Sequence, residues 1–445
     1  MKKFVVFLVI FMMLSAFAMA AGSGQSSGSQ AAPGAKTEIR ASYWGEALRV
    51  QLYSNIIAEF EKANPDVTVV REIAPFNEYF DKLVVQVAGG NAADFLAMHP
   101  RFAADYFPRG VFEVLDPYIA NKTISTAGWA QGAIDMGKFG GKSYALAMGV
   151  TYQGSMIDLA LFKNLGVAPP AFEWTWDDVR SKGLEVKAAW AKQGKTSGYW
   201  FIGDESWDTN FNNFRYYVRN LGREAYKEDG TLGFTAKDLE DYFNMWKDFR
   251  DIGIAPDAAA STEYQTASFE ASMFGKGRLL LTNGAVNQIF RNQSTFPDKE
   301  LAIIRIPKMA KAVMAGEFPE GGMYGVYAKS TAAKKTAAAR LLNFWLNDER
   351  SLKLYLLDQG VPGNTPLVEK VVIPLLPPML VKAANHVNIV SKIATASPNP
   401  PIGTSQIAQE YFGIAQQVAF GTKTPAVAVK EFMDLANGIL AKNKR

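Results

Sequence analysis

The stretch that decides the fold is Glu38 to Val70, EIRASYWGEALRVQLYSNIIAEFEKANPDVTVV. Residues Glu38–Ala41 are predicted to form a short strand that leads into a loop containing Trp44. Apolar side chains then recur every four residues, at Leu48, Leu52, Ile56 and Phe60. This spacing predicts a helix with one apolar stripe, which ends at Asn64-Pro65 because the residue before a proline disfavours helical geometry. The β-branched run that follows predicts a second strand, so the order is strand, loop, helix, strand.

The same alternation continues beyond this stretch. Residues Asn77–Ala88 have helical spacing, and Asp94–Met98 is a short apolar run suited to a buried strand, with His99-Pro100-Arg101 at its carboxyl end. Alternating elements of this kind predict an α/β fold with a largely parallel sheet flanked by helices. Ligands of such sheets lie beyond the carboxyl ends of the strands. In this interpretation that edge carries Trp44, Gly45, Glu46, His99 and Arg101.

Two long helices are predicted in the middle of the chain. They cover Trp174–Gln193 and Thr235–Ile252, with Thr175 and Thr235 as their N-caps. A strand over Arg278–Thr282 is predicted next, followed by the turn Asn283-Gly284. Further strands and closing helices are predicted over Leu301–Ile306, Met323–Ala328, Thr336–Leu346, Ser351–Leu357, Glu410–Ala419 and Pro425–Leu440.

Length and composition exclude several classes of protein. A chain of 445 residues exceeds the roughly 250–300 residues at which single cores stop growing, so two lobes are expected. The 47 basic against 43 acidic residues leave the chain nearly neutral, which argues against a nucleic-acid partner. The absence of cysteine excludes disulfides, thiol nucleophiles and thiolate metal sites, and only His99 and His386 offer imidazole. Thiol chemistry and thiolate or multi-histidine metal sites are therefore not expected. No catalytic residue, metal site or cofactor is predicted.

The N-terminus has the pattern of an export signal. Met1-Lys2-Lys3 is basic, Phe4–Leu14 is apolar, and Ala18-Met19-Ala20 fits the small-x-small rule for cleavage. Residues 1–20 are therefore predicted to be a signal peptide, and residues 21–37 a flexible tether rich in Gly, Ser and Ala. The protein is expected to be periplasmic, or tethered to the outer face of the cytoplasmic membrane if the signal is not cleaved.

Aromatic and polar side chains at predicted loop edges suggest the kind of ligand. A carbohydrate offers C–H faces that stack on aromatic rings, and hydroxyl groups that need both donors and acceptors. Such side chains, placed together, favour a sugar site, although core packing is an equally good explanation for any one aromatic residue. The candidates from this reasoning are Trp44, His99, Arg101, Tyr152, Trp207, Asn210, Asn283, Asn287, Tyr324 and Asn364.

Several segments, in order, resemble the extracellular solute-binding proteins of ATP-binding-cassette sugar importers, the family that includes maltose-binding protein. They are Phe60–Val67 (FEKANPDV), Ala88–Phe95 (AGGNAADF), Leu161–Val167 (LFKNLGV) with Thr175–Val179 (TWDDV), Phe274–Gly284 (FGKGRLLLTNG), Gly321–Val326 (GGMYGV) and Phe420–Ala426 (FGTKTPA). The sequence departs from the family pattern at Pro100, which stands where some maltose-type members have an acid. Asn283-Gly284 stands where many members stack a tryptophan on the sugar, so Tyr324, Trp207 or Tyr152 are expected to stack instead.

The resemblance implies two α/β lobes joined by hinge strands, with a sugar or oligosaccharide bound between them. The expected division is 38–148 plus 285–328 for the first lobe, and 149–284 plus 329–445 for the second. Trp44, Gly45 and Glu46 match the family's first ligand loop, and Asn77, Gly321 and Gly322 complete the candidate ligand-binding set. The implied function is delivery of the sugar to membrane permease subunits by a monomer, without chemistry on the ligand. Trp44→Ala is expected to weaken binding without unfolding the protein.

Three alternatives remain open at this point. The first alternative is a binding protein for a phosphorylated polyol or a peptide, because Arg49, Arg101 and Arg291 can pair with phosphate or carboxylate. The second is a secreted glycosidase, which needs only two suitably spaced carboxyl groups. The third is a surface adhesin or sensory protein without a transport role.

Overall fold

A computed structural model describes residues 36–45, 47–209, 211–265 and 270–443 of the chain. The predicted signal peptide over 1–20, the tether up to residue 35, Glu46 and Asn210 lie outside the described residues. Among the helices that are described, none is long and apolar enough to cross a membrane.

The strands form two larger sheets and one short hairpin. In chain order, the described strands are β1 (Thr37–Trp44), β2 (Val67–Ala74), β3 (Phe95–Met98), β4 (Lys138–Phe139), β5 (Lys142–Ser143), β6 (Ala145–Ala147), β7 (Gln153–Asp158), β8 (Trp200–Ile202), β9 (Leu279–Ala285), β10 (Leu301–Arg305) and β11 (Met323–Val326). The first sheet has the order β2-β1-β3-β11-β6, and the second has the order β10-β7-β9-β8. Among the described strands, β4 and β5 pair only with each other.

Helices surround both sheets. They are α1 (Ala47–Ala63), α2 (Phe76–Ala88), α3 (Pro100–Tyr106), α4 (Asp116–Ala120), α5 (Gln131–Asp135), α6 (Leu159–Leu165), α7 (Trp176–Lys192), α8 (Asn212–Asn220), α9 (Ala236–Asp251), α10 (Ala258–Gln265), α11 (Ile289–Thr295), α12 (Ala332–Asn347), α13 (Glu349–Tyr355), α14 (Thr365–Leu367), α15 (Pro378–Val390), α16 (Thr404–Ala419) and α17 (Pro425–Asn443). Short 3-10 turns cover Val286–Gln288 and Ile373–Leu375, and a π turn covers Val368–Val372.

Local sequence signals explain where these helices begin and end. Helix α1 ends at Ala63, directly before Asn64-Pro65, as the sequence predicts. Thr175 caps α7 through a reciprocal capping box with Asp178, which satisfies backbone N–H groups at the helix start. Thr235 caps α9 in the same way with Asp238, so both predicted N-caps are confirmed.

The first sheet and its helices share one hydrophobic core. The apolar stripe of α1 contributes Ile56 and Phe60, both 0% exposed. Helix α12 covers the same sheet, and its Trp345 ring lies 4.8 Å from the ring of Tyr53 on α1. Burying an aromatic or large aliphatic side chain contributes about 1.5–3 kcal/mol, so these contacts hold α1 and α12 to the sheet.

The second sheet has a separate core that is rich in aromatic rings. Trp246 of α9 and Tyr411 of α16 are both 0% exposed, and the Tyr411 hydroxyl donates to the Ser206 carbonyl at 2.6 Å. Phe432 of α17 completes this layer, with its ring 5.6 Å from that of Tyr411. Two sheets with two cores therefore form the two α/β lobes that the resemblance implies.

Among the described residues, three chain segments form a small hinge, and they lie around residues 149–151, 320–322 and 361. Val150 and Val361 exchange backbone hydrogen bonds of 2.7 and 2.8 Å, and Thr151 and Glu320 exchange bonds of 2.8 and 2.9 Å. Gly321 has a φ of +144°, and a Cβ atom there would lie 2.1 Å from the carbonyl oxygen of Gly149. The hinge strands pack this closely because position 321 is glycine.

The predicted division of the chain into lobes needs two corrections. Residues 285–319 were assigned to the first lobe within 285–328, yet β10 pairs with β7 in the second sheet. Residues 329–376 were assigned to the second lobe within 329–445, yet α12 packs into the core of the first sheet. Of the described residues, those within 36–148 and 322–376, apart from the hinge residue Val361, therefore form the first lobe, and those within 153–319 and 378–443 form the second.

The sheets are mixed rather than mostly parallel. Strand β1 pairs in parallel with β2 and β3, but β11 is antiparallel to both β3 and β6. In the second sheet β7 is antiparallel to β9 and β10, while β8 and β9 are parallel. Only the runs with helical crossovers have the parallel pairing that such crossovers give. Strands β7 and β11 follow the hinge directly, and both run antiparallel to the strands beside them.

Candidate functional site

The first lobe presents one wall of the candidate site at the carboxyl ends of β1, β2 and β3. We call this the first wall: Trp44, Phe76, His99 and Arg101. The ring of Phe76, at the start of α2, lies 5.4 Å from the rings of both Trp44 and His99. The structure thus brings together Trp44, His99 and Arg101, which the sequence predicts at this edge. Gly45 follows Trp44 and is half-buried, while Asn77 is exposed next to Phe76.

His99 is fixed and uncharged in this wall. Its side chain is the N-cap of α3, with Nδ1 accepting from the backbone N–H of Arg101 at 3.2 Å. Burial, with a smaller contribution from the Arg101 charge, lowers the pKa of His99 to about 4. At neutral pH the imidazole is therefore a polar aromatic surface and carries no charge.

Trp44 is a packing residue with only a small accessible surface. It is 6% exposed and contacts Tyr79 and Phe80 in addition to Phe76 and His99. A Cβ atom on Gly322 would lie 3.0 Å from the Trp44 indole, so glycine at position 322 makes room for this ring. In this position Trp44 packs against Phe76 and His99, so Trp44→Ala is expected to lower stability in addition to weakening binding.

The second lobe presents a wall of carboxyl and amide groups. We call it the second wall: Gln153, Glu205, Asp208, Asn212, Asn213, Asn283 and Glu320. It is built from the start of β7, the loop after β8, the start of α8, the end of β9 and the hinge. All seven side chains are half-buried. Such groups can both donate to and accept from hydroxyl groups of a ligand.

Glu205 is held at the centre of the second wall. Its Oε2 accepts from Asn213 Nδ2 at 2.7 Å, and its carboxyl group also accepts from the backbone N–H of Asn283. Burial, reinforced by the nearby Asp208 charge, raises the pKa of Glu205 to about 8. Glu205 is therefore mostly protonated at neutral pH, and it can act as a donor as well as an acceptor.

Glu320 ties the second wall to the hinge. Its carboxylate accepts from Asn212 Nδ2 and from Gln153 Nε2, each at 2.9 Å, and from the hydroxyl of Tyr216. Burial raises the pKa of Glu320, and the hydrogen bonds from Tyr216 and Gln153 oppose that rise. Since the Glu320 backbone pairs with Thr151, a change in hinge geometry changes the second wall.

The two walls face each other across the cleft. Asp208 of the second lobe acts electrostatically on Arg101 of the first lobe, raising its pKa against the larger lowering effect of burial. The Asp208 carboxylate also accepts the backbone N–H groups of Asn212 and Asn213 at 3.0 and 2.9 Å, which fixes it at the start of α8. Attraction between Arg101 and Asp208 therefore favours approach of the lobes.

Helices α3 and α16 make a direct contact between the lobes. Ser405 Oγ donates to Asp105 Oδ2 at 2.8 Å and is 3.2 Å from the carbonyl oxygen of Arg101. The backbone N–H of Gly403 donates to Asp105 Oδ1 at 3.4 Å. We call these four residues the closure contact. Because it joins the start of α16 to the other lobe, this contact persists only while the lobes lie together, which we call the closed form.

Four predicted ligand residues lie in the cores instead of the cleft. Tyr324 is 0% exposed in the first core, and Trp207 is 2% exposed with its ring near Phe412 and Phe420. Tyr152 is 3% exposed, and burial raises its pKa to about 12. Asn364 is 8% exposed and serves as the N-cap of α14. Packing and capping explain these four, so none of them is kept in the proposed site.

Two further predicted residues belong to the hinge, and one belongs to the second wall. Gly321 permits close packing of the hinge strands, as described above. Asn287 accepts from Thr151 Oγ1 at 3.1 Å and donates to the carbonyl oxygen of Asp358 at 2.8 Å, which links second-lobe, hinge and first-lobe residues. Asn283 contacts Glu205 and accepts from Ser155 Oγ at 2.7 Å. It lies within β9 rather than in the predicted turn, because Asn283 and Gly284 pair with β7.

Most of the second wall was not predicted from the sequence. The candidates Trp207 and Asn210 were chosen from the correct loop, yet its acidic residues Glu205 and Asp208 were not. The available signal was the position of this polar loop directly after the short apolar run 200–202, at the end of a strand. Glu320 had the same kind of signal, since it directly precedes the Gly321-Gly322 pair.

Two α/β lobes that meet through a three-segment hinge, with polar walls facing each other across a cleft, define a hinged two-lobe binding protein. The chain belongs to the bacterial extracellular solute-binding protein family, whose model matches residues 55–376. This finding confirms the family that the sequence segments suggest.

Individual proteins resemble this chain only distantly in sequence. A Brucella abortus (strain 2308) protein that is named as a binding protein is 22% identical over 277 residues, which are 62% of each chain. The present chain thus spans about three-fifths of the length of that curated relative.

Two solved structures share the fold over nearly their whole length. An ABC substrate-binding protein from Listeria monocytogenes, in complex with cycloalternan, is 21% identical with a TM-score of 0.78, over 91% of this chain and 99% of that one. A periplasmic oligogalacturonide-binding protein from Yersinia enterocolitica, in complex with saturated digalacturonic acid, is 19% identical with a TM-score of 0.78, over 92% and 100%. At these identities the likeness establishes the two-lobed fold.

Proposed function

We propose that this protein binds a sugar or oligosaccharide between the first and second walls, closes on it and delivers it to the permease of an ABC importer. Exported location and a monomeric state are parts of the same proposal. The observation that supports it is the second wall of carboxyl and amide groups, whose Asp208 interacts with Arg101 of the first wall, the wall that also carries the Phe76 and His99 rings. Ring faces for C–H groups beside paired donors and acceptors suit a sugar.

The related structures support this choice of ligand class. The Listeria and Yersinia proteins share the fold, and their structures are complexes with cycloalternan and with saturated digalacturonic acid. Ligand capture in such a fold is a population shift, since a ligand that contacts both walls stabilises the closed form over the open one.

A ligand panel tests the proposal directly. Purified protein is titrated with mono- and oligosaccharides while tryptophan fluorescence and melting temperature are followed. At least one sugar is expected to raise the melting temperature, because ligand that binds only the folded state stabilises it. No response to any sugar would sink the carbohydrate proposal.

A variant of the second wall locates the site. Glu205→Ala is expected to weaken sugar binding about 2- to 10-fold, since a hydrogen bond of an uncharged group contributes about 0.5–1.5 kcal/mol. Glu185→Ala is the matched control, because Glu185 lies exposed on α7 in the same lobe. Equal affinities of the two variants would place the ligand elsewhere.

A glycosidase is the alternative that the geometry makes worth testing. A protonated Glu205 beside the Asp208 carboxylate resembles an acid and base pair of glycoside hydrolysis. The Asp208 oxygens, however, accept backbone N–H groups of α8, which favours a positioning role. Assay of reducing ends after long incubation with each bound oligosaccharide is expected to show no release.

A further inference from the structure

The charges in the cleft bear on which sugars the protein takes. The second wall carries the carboxyl groups of Glu205, Asp208 and Glu320. Among the described residues, Arg101 interacts electrostatically with Asp208, and Arg215 interacts electrostatically with Glu320. Each of these two guanidinium groups already has partners within the protein. The balance of these negative and positive charges bears on whether the ligand is uncharged or acidic. The proposed function does not specify the charge of the sugar.

Arg101 is matched by a carboxylate across the cleft. Asp208 is the charged group that favours its protonated form, and the two residues lie on opposite lobes. An acidic ligand that approached Arg101 would therefore also meet the negative charge of Asp208. Like charges placed next to each other at an interface weaken binding strongly, so this pair gives little net attraction for an anion.

Arg215 is also committed to protein contacts. Its Nη1 donates to Asn212 Oδ1 and its Nη2 donates to Ser397 Oγ, each at 3.1 Å. The guanidinium lies over the Phe318 ring, 4.1 Å from the centroid, and its charge acts on Glu320. Arg215 thus offsets the Glu320 carboxylate and holds the side chain of Asn212 in place.

Arg49, one of the three arginines named for a phosphate or carboxylate ligand, is neutralised as well. Arg49 donates from Nε and Nη2 to the two carboxylate oxygens of Asp358, at 2.8 and 3.2 Å. This two-pronged geometry is the one that arginine uses for a carboxylate or phosphate ligand, and here Asp358 occupies it. The phosphorylated-polyol and peptide alternatives lose that support.

We propose, as a refinement that rests on the proposed function, that the cleft selects uncharged sugars and discriminates against uronates and sugar phosphates. The carboxylates of Asp208 and Glu320 offset the positive charges of Arg101 and Arg215. The Glu205 carboxyl group supplies no positive charge that could attract an acidic ligand. Asp208 and Glu320 are the specificity-determining residues, because their carboxylates place negative charge where an acidic sugar would bring its own.

Ligand pairs in which one member is uncharged and the other is acidic test this selectivity. The probes are methyl-esterified and free digalacturonic acid, maltose and maltose 6-phosphate, and sorbitol and sorbitol 6-phosphate. Any sugar found with the panel above is added together with its uronic or phosphorylated counterpart. By calorimetry, the uncharged member of each binding pair is expected to bind at least about tenfold more tightly than its acidic partner. Its affinity should change little between roughly 0.05 and 0.5 M salt.

A charge-removing variant extends the test to the residues. Asp208→Asn is expected to improve binding of the acidic member at least about tenfold relative to its uncharged partner, because Arg101 loses its counter-charge. Asp177→Asn, which makes the same change at an exposed position of α7, should leave the ratio unchanged. If the melting temperature shows that Asp208→Asn does not fold, Glu320→Gln provides the second removal of a carboxylate.

The outcomes separate this inference from the proposed function. Tighter binding of an acidic member than of its uncharged partner by the unmodified protein overturns the selectivity and leaves sugar binding standing. An unchanged ratio in the folded Asp208 variant overturns the assignment of that residue. Absence of binding by every member of every pair removes the proposed function, and this inference with it.

Discussion

The closure contact predicts that one carboxylate of the first lobe controls the balance between open and closed forms. Asp105 accepts from Ser405 Oγ at 2.8 Å and from the Gly403 N–H at 3.4 Å, across the gap between the lobes. Helix α16 has Gly403 as its N-cap and no side-chain cap of its own. Asp105 therefore does for α16 in the closed form what a capping side chain does within one helix.

The magnitude follows from helix capping. Loss of a capping side chain costs about 0.5–2 kcal/mol, which is roughly a twofold to thirtyfold change in an equilibrium constant. Asp105→Ala removes the contact in the closed form only, since separation of the lobes breaks it. Alanine suits the helical position, so α3 should persist. For a protein that is half closed, a tenfold shift would leave about 9% closed.

Small-angle scattering and calorimetry measure the two consequences. Asp105→Ala is expected to increase the radius of gyration of the ligand-free protein and to weaken sugar affinity by up to the same factor. Asp81→Ala is the matched control, because Asp81 lies exposed on α2 of the same lobe. If Asp105→Ala matches the control in both measurements while folding normally, Asp105 does not contribute to closure and the reasoning fails.

Three further predictions concern the hinge and the buried residues. Trp44→Ala, at 6% exposure, should lose about 3–5 kcal/mol of unfolding free energy in urea melts, and an unchanged midpoint would contradict its packing role. His386→Leu should raise the melting temperature more at pH 5 than at pH 8. Burial lowers the pKa of His386 to about 4, so the unfolded chain binds the extra proton between about pH 4 and 6.5 and native stability falls as pH decreases through that window. Equal gains at both pH values would exclude this linkage. Gly321→Ala should abolish closure or folding because its Cβ would lie 2.1 Å from the Gly149 carbonyl, and normal sugar affinity would refute that.

Elements with strong local signals could be predicted from the sequence. The α1 stripe and its proline stop, and the capping residues Thr175 and Thr235, depend on neighbours within a few positions. Each of these signals is confirmed by an element in the expected place. Family segments then supplied the two-lobed arrangement, which local patterns cannot give.

The division into lobes failed where the answer depends on distant pairing. Residues Leu301–Ile306 form a strand in the prediction and in the structure, yet no local feature says which sheet that strand joins. Its partner is β7, more than a hundred residues earlier in the chain, as the register of Leu301 with Asp158 shows. The return of the chain through the hinge at residues 319–322 likewise has no periodic signature.

The prediction of site residues failed for a different reason. Rules for α/β sheets place loops at the carboxyl edge, and Trp44, His99, Arg101 and Asn283 all lie near the cleft as expected. The rules do not say which way a side chain turns, and apolar rings gain most free energy by turning inward. Tyr152, Trp207 and Tyr324 were chosen for their chemistry, and that same chemistry buries them. Polar side chains of the same loops gain no free energy by moving into the apolar core. Glu205 and Asp208 therefore lie in the second wall.

The modest closure contact is consistent with a protein that must release its ligand. Between α3 and α16, Asp105 accepts one hydrogen bond of ordinary length and one long one, and the Arg101–Asp208 attraction is between half-buried side chains. Contacts of this size shift an equilibrium by roughly one or two factors of ten at most. A carrier whose walls are complementary to a neutral sugar obtains the remaining stabilisation of the closed form from the ligand itself. The closed form is then populated mainly when ligand fills the cleft. Once the ligand has left, few contacts between the lobes oppose reopening.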